Sequence, residues 1–206
     1  MGPDHDMETP GACTPGPLGE DRLDHVTADL ADGFYKIYQE IENNTAFVSV
    51  KWPDQELSSG DYALVNMVPT KTQAASNSEF YFKLTRQHGV KNGFTIVPAS
   101  SRIPEGVPAS GTTTFPIGDG LLSVGRSFKY PVWSIQCFQS NITRDRKDKN
   151  KITIVNRFQI LELEVGSTRR WVSMPWPNNL LIVVRSPGSA VTDHELFQFI
   201  REDEIL

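Results

Sequence analysis

Tyr35-Lys36-Ile37, Phe94-Thr95-Ile96 and Ile152-Thr153-Ile154 share one pattern: an apolar residue, a polar residue, then isoleucine. They recur at near-equal intervals of 59 and 58 residues, each just after turn-forming residues: Asp32-Gly33, Asn92-Gly93 and Asn150-Lys151. Asn, Asp and Gly tolerate the positive φ that tight turns require, so each triplet reads as the start of a strand. A second pattern, an aromatic with an apolar residue two positions on, recurs at Phe82-Lys83-Leu84, Trp133-Ser134-Ile135 and Phe197-Gln198-Phe199. Period-two alternation places one face of each strand in a core and the other toward solvent. The two patterns interleave, with Phe82 before Phe94, Trp133 before Ile152 and Phe197 near the end of the chain.

Between these strands the same texture continues. Short runs rich in Val, Ile, Phe, Tyr and Thr alternate with Pro, Gly, Asn and Ser clusters. Strands are expected over Phe47–Val50, Tyr62–Val68, Phe80–Leu84, Leu121–Val124, Val132–Phe138, Ile152–Val155, Trp171–Met174, Leu180–Val184 and Leu196–Ile200, with one more between Arg102 and Phe115. No run carries the three-and-four apolar spacing of a substantial helix, so the chain reads as all-β. Twelve strands in three groups of four predict a β-trefoil, a six-stranded barrel capped by three hairpins, in which closure removes exposed sheet edges. A β-sandwich also has short, evenly spaced strands, but does not account for two patterns returning in one threefold order.

Residues 1–30 form a separate region, and 31–206 the β-trefoil domain. Pro10-Gly11-Ala12-Cys13-Thr14-Pro15-Gly16-Pro17 cannot build a packed element, and the region holds seven acidic residues against Arg22, so it reads as a disordered acidic tail. The chain's net charge of −5 thus resides in the tail, which leaves the body near neutral and argues against nucleic acid or an anionic membrane as partner. No stretch approaches the ~18 apolar residues of a membrane span. Two cysteines, Cys13 and Cys137, make no disulfide framework. With no apolar leader in Met1–Asp6, the expected location is the cytoplasm, and the sequons at Asn43 and Asn141 are expected to stay unmodified.

Residues suited to catalysis are sparse. His5, His25, His88 and His194 offer no metal-ligand spacing with Cys or with one another, and Cys137 lies in an apolar strand as a small hydrophobe would. Gly118-Asp119-Gly120 lacks the Lys-Ser/Thr and helix of a phosphate loop. No metal, cofactor or catalytic residue is expected, and the chain reads as a monomeric binding protein, not an enzyme. The run Arg144–Lys151 mixes five cations with two aspartates and reads as a solvated loop. Trp171 and Trp176, with Arg169 and Arg170 nearby, are either stacking residues for a sugar ring or packing residues under a hairpin.

Asp32-Gly33-Phe34-Tyr35-Lys36-Ile37, Val132-Trp133-Ser134-Ile135-Gln136 and Phe197-Gln198-Phe199-Ile200-Arg201-Glu202 resemble the mycocypins, the clitocypin and macrocypin cysteine-protease inhibitors of mushrooms. The resemblance implies a non-covalent inhibitor of papain-like proteases acting through two loops of the first repeat. In this sequence they are Glu40, Ile41, Glu42, Asn43, Asn44 and Thr45, and the stretch from Pro69 to Ser78 with Lys71, Thr72 and Gln73. The legumain-directed Asn of some members has no counterpart in Ala99–Gly111. Arg102, followed by Ile103-Pro104, and Lys71 are the alternatives for a substrate-like site against serine proteases. A ricin-B-like lectin is the competing reading, although no segment carries Gln-x-Trp; a trefoil that binds another protein is the third.

Overall fold

Alternating apolar side chains need a partner face, and strands that bury one face must find neighbours for their backbone N–H and C=O groups. A computed structural model shows how the chain meets both needs; it describes residues 30–52, 62–75, 78–99, 112–118, 120–126, 131–148, 150–163, 169–186, 188 and 190–202. Twelve strands occur: β1 Gly33–Ile41, β2 Asn44–Lys51, β3 Tyr62–Pro69, β4 Tyr81–Arg86, β5 Gly93–Pro98, β6 Thr112–Ile117, β7 Leu121–Arg126, β8 Trp133–Arg144, β9 Ile152–Glu162, β10 Arg170–Ser173, β11 Ile182–Arg185 and β12 Gln198–Glu202. Each overlaps or adjoins an expected run, and among the described residues the only helical pieces are three-residue 3₁₀ turns. The turn before β5 uses Asn92 at φ 56°, as its residue type suggested.

The arrangement of the strands corrects the expected β-trefoil. Antiparallel ladders run β1-β2-β3-β7-β11-β10-β9-β8-β5-β4 and return from β4 to β1, closing a ring of ten strands. β6 hangs on β7, and β12 on β1. The hairpin strands β2, β3, β7, β10 and β11 are therefore members of the ring and not a cap on a six-stranded barrel. The step that closes it is the pairing of Val183 in β11 with Leu121 in β7.

The threefold equivalence of the opening triplets fails at the third. Tyr35, Ile37, Phe94 and Ile96 are buried in one core, whereas Ile152 begins β9 opposite Arg144 at the outer end of the β8–β9 hairpin. Phe158 and Ile160, farther along β9, lie in the core. The interior is filled by aromatics in edge contact: Tyr35 and Phe158 against Phe199, and Trp133 and Phe197 against Trp171. Their edge-to-face geometry lets the positive ring edge meet the negative ring face. Thr114, itself buried, accepts the Trp133 indole N–H at 3.0 Å and donates to the Ile96 carbonyl at 2.9 Å, so that polar tip is satisfied inside the core.

A smaller cluster of Tyr38, Phe47, Ala75, Phe80 and Ile200 lies on the other face of β1. Burial, with the Glu40 charge adding to it, pushes the Tyr38 hydroxyl well above its ordinary pKa. Cys137 is disulfide-bonded, contrary to the expectation of an apolar thiol; the chain's other cysteine, Cys13, lies outside the described residues, as does the rest of the tail from 1 to 29.

Candidate functional site

One open cleft of about 640 Å³ is lined by Ile41–Thr45, Pro69–Lys71, Trp176, Pro177 and His194. Its first wall is the β1–β2 hairpin. Ile41 pairs with Asn44, which leaves Glu42 and Asn43 as a two-residue turn, at φ 51° and 65°. Two successive positive φ values define a type I′ turn, whose twist matches that of the flanking strands. The second wall follows β3: Thr70 N–H donates to the Thr45 carbonyl at 3.1 Å, and a 3₁₀ turn over Thr72–Ala74 follows. Ala75 at the end of that turn is buried in the smaller cluster, which anchors the loop from below.

The third wall comes from distant sequence. After β10 the chain turns through Trp176 and Pro177, joined by a cis peptide bond, with Asn179 N–H donating to the Pro175 carbonyl at 3.0 Å. A 3₁₀ turn over Asp193–Glu195 supplies His194. That turn is held by a capping box in which Thr192 N–H donates to Glu195 Oε2 at 2.6 Å.

Gln39 of β1 joins these walls from behind. Its Nε2 donates to the His194 carbonyl at 2.9 Å, and its Oε1 accepts from Trp176 Nε1 at 2.9 Å and from Ser173 Oγ at 2.6 Å. Ser173 Oγ is also 2.9 Å from His194 Nδ1. Burial holds the His194 imidazole below its ordinary pKa, while the neighbouring Asp193 works in the opposite direction. Asp193 is in turn paired with Arg157 of β9 at 2.8 Å.

A Ser–His contact raises the question of nucleophilic catalysis, and the geometry answers against it. A serine nucleophile must give its proton to the histidine, but the short bond to Gln39 Oε1 takes that proton. Ser173 is also only 2% exposed, out of reach of a substrate carbonyl. The network is therefore a brace for the cleft.

Of the residues singled out in the sequence, Ile41, Glu42, Asn43, Asn44 and Lys71 line the cleft. Glu40 is exposed on β1 opposite Thr45, outside the lining, and Thr72 and Gln73 belong to the adjoining 3₁₀ turn. Arg102 lies outside the described residues. Trp171 is fully buried and cannot stack on a ligand, whereas Trp176 is half-buried on the cleft wall. In the charged run, Asp145 Oδ1 accepts from the Lys147 and Asp148 N–H groups, so it shapes an exposed turn between β8 and β9. Among the described residues no group of His, Cys, Asp or Glu is arranged to hold a metal ion, and no helix is long and apolar enough to cross a membrane.

Gln39, Ser173, Trp176, Pro177 and His194 entered the site without having been joined to it by sequence. Gln39 did carry a local signal: it is in phase with Tyr35 and Ile37, so a polar residue occupies a core-facing position.

No protein-family model matches the chain, and no curated protein matches it. Among solved structures, a proteinase inhibitor from Coprinopsis cinerea is similar, with 12% identity over 84% of this chain and 100% of the inhibitor and a TM-score of 0.48. A likeness at that level carries no argument about function.

Proposed function

We propose that the chain is a non-catalytic binding protein that blocks a papain-like cysteine protease with the Glu42-Asn43 turn and the Pro69–Lys71 segment. The observation that carries the reading is their convergence: two loops separated in sequence by all of β2 and β3 stand side by side on one cleft, tied by the Thr70–Thr45 backbone bond. Loops held by ladder hydrogen bonds lose little conformational entropy on docking, which is what an inhibitor gains from a rigid support. The turn is narrow and exposed, and Ile41, Trp176 and Pro177 provide apolar surface beside the amides of Asn43 and Asn44.

Titration of the purified protein against papain, with trypsin and legumain in parallel, tests the proposal. Loss of papain activity at sub-micromolar concentration is expected, and replacement of Asn43 by Trp at the tip of the turn should raise the inhibition constant at least about tenfold, or ~1.4 kcal/mol. Full papain activity in the presence of a large excess of the protein would overturn the reading.

One observation favours a second reading. Trp176 presents an aromatic surface in a concave site that also holds Asn43, Asn44 and His194, a combination suited to a sugar ring. Retention on a glycan array, lost in Trp176→Ala and accompanied by no effect on proteases, would favour carbohydrate binding.

A further inference from the structure

The hydrogen bonds behind the cleft fix a protonation state inside it. An indole N–H can only donate and a carbonyl oxygen can only accept. Trp176 Nε1 and the His194 carbonyl therefore set the Gln39 amide one way round, Oε1 toward the indole and Nε2 toward the carbonyl. Ser173 Oγ, 2.6 Å from Oε1, must donate to it. The hydroxyl has one proton, and it is spent there. The 2.9 Å contact between Ser173 Oγ and His194 Nδ1 then requires Nδ1 to donate. A neutral imidazole carries one N–H, so Nε2 is left with a lone pair. Among the described residues nothing hydrogen-bonds Nε2, and His194 lines the cleft.

We propose that His194 Nε2 is the specificity-determining acceptor of the cleft, selecting a partner group that donates a hydrogen bond, such as a peptide N–H or a hydroxyl. The inference rests on reading the cleft as the binding site, and Ser173 and Gln39 act in it as positioning residues. Protonation reverses the preference: Nε2 becomes a charged donor, which disfavours an N–H or hydroxyl and favours a carboxylate. The charged groups about the ring are its neighbours in the turn, Asp193 paired with Arg157 of β9 and Glu195 accepting from the Thr192 N–H, and Glu42 and Lys71 on the two loops across the cleft. Ser173 of β10, Gln39 of β1 and Trp176 present no charge. Burial keeps the ring neutral at pH 7 and the acceptor available.

Two measurements on the full chain test this independently. Long-range proton–nitrogen NMR on the free protein at pH 7.5 should show His194 protonated at Nδ1 and bare at Nε2; Ser173→Ala should release the ring toward the Nε2–H tautomer. Finding the Nε2–H form in the unaltered protein overturns the proposal, whatever the chain binds. The second measurement is calorimetric titration with papain whose active-site thiol has been methylated. Affinity should fall as the pH is lowered from 7.5, by about five- to tenfold once the ring is protonated, the size of one hydrogen bond. His194→Asn keeps a donor near Ser173 but has no atom at the Nε2 position; it should bind more weakly at pH 7.5 and lose the pH dependence. Equal pH profiles for the two proteins would overturn the His194 proposal while leaving papain binding intact. Absence of any papain binding would instead remove the proposed function, and the NMR result alone would then decide the acceptor assignment.

Discussion

Glu42 holds a backbone conformation that an L side chain rarely adopts, at φ 51°, and Asn43 follows at 65°. Asparagine tolerates this region because its short amide can bond locally; glutamate has no such compensation. The type I′ turn needs both residues there, so the strain at Glu42 is the cost of a narrow tip. Glu42→Gly removes the strain and adds the backbone entropy of glycine to the unfolded chain. The balance should stabilise the protein by about 0.5–1 kcal/mol and raise Tm by about 1–4 °C, read by thermal unfolding. A lowered Tm would mean that the Glu42 side chain does something for the fold beyond filling the turn.

His194 makes a residue-scale prediction about pH. Its folded-state pKa is lowered by burial, so between the folded and unfolded values the unfolded chain binds more protons. The corresponding stability is present above the unfolded value near ~6.5 and is lost as pH falls through the folded one. Urea midpoints should therefore decline from pH 7.5 to 5 more steeply for the unaltered protein than for His194→Asn, which cannot titrate. Parallel declines would show that the imidazole contributes no linkage.

At the scale of elements, β8 and β9 outrun the body. Their ladder extends from Trp133↔Glu162 to Arg144↔Ile152, but the pairings of either strand with β5, with β10 or with Phe197 just before β12 are confined to Trp133–Ser134 on β8 and to Phe158 and Leu161 on β9. The outer part pairs only with itself among the described residues. Replacing Thr143–Thr153 by Asn-Gly puts a type I′ turn directly after the Ile142↔Ile154 pair. Circular dichroism should show an unchanged fold with Tm within about 3 °C, because a ΔΔG below ~1 kcal/mol shifts a chain of this size by no more. A larger loss would mean that the arm braces the ring.

The same strand explains what the sequence could and could not reveal. Alternation, with Asn, Asp and Gly at the turns, made the twelve strands and their order legible. It could not reveal position along a long strand: Ile152, Ile154, Phe158 and Ile160 all share one parity in β9, so Ile152-Thr153-Ile154 and Phe158-Gln159-Ile160 look alike. Phe158 and Ile160 are held in the core by the docking of Phe197, just before β12, and of β10, through Phe158↔Phe197 and Leu161↔Arg170. Ring closure has the same character. The β3–β7 and β7–β11 ladders join strands that are not consecutive, and no local pattern announces such a pairing. For the site, the two loops came from the family resemblance of the first repeat and not from the residues themselves, whereas Trp176 and His194 arrive from the last third of the chain through Gln39.

On the scale of the molecule, β1 joins the beginning of the described chain to its end. It pairs with β2, β4 and β12, and Arg201 donates to the Asp32 carbonyl across 169 positions. β12 is not in the closed ring, yet its Phe199 fills the interior, against Tyr35 at 6.1 Å and Phe158 at 5.3 Å between ring centroids. Two outcomes can therefore be separated for Phe199→Ala. If the interior is one cooperative core, the lost packing is felt everywhere: the urea transition should move to lower concentration by about 3–5 kcal/mol, remain single and keep its slope. If β12 were an appendage, the variant would instead unfold in two steps or lose less than ~1 kcal/mol. The aromatic contacts argue for the first outcome, because Phe199 packs against Tyr35 of β1 and Phe158 of β9, both strands of the ring. Phe197, immediately before β12, makes the same kind of contact with Trp171, 5.9 Å between centroids, so the short segment Phe197–Phe199 supplies both halves of the aromatic interior.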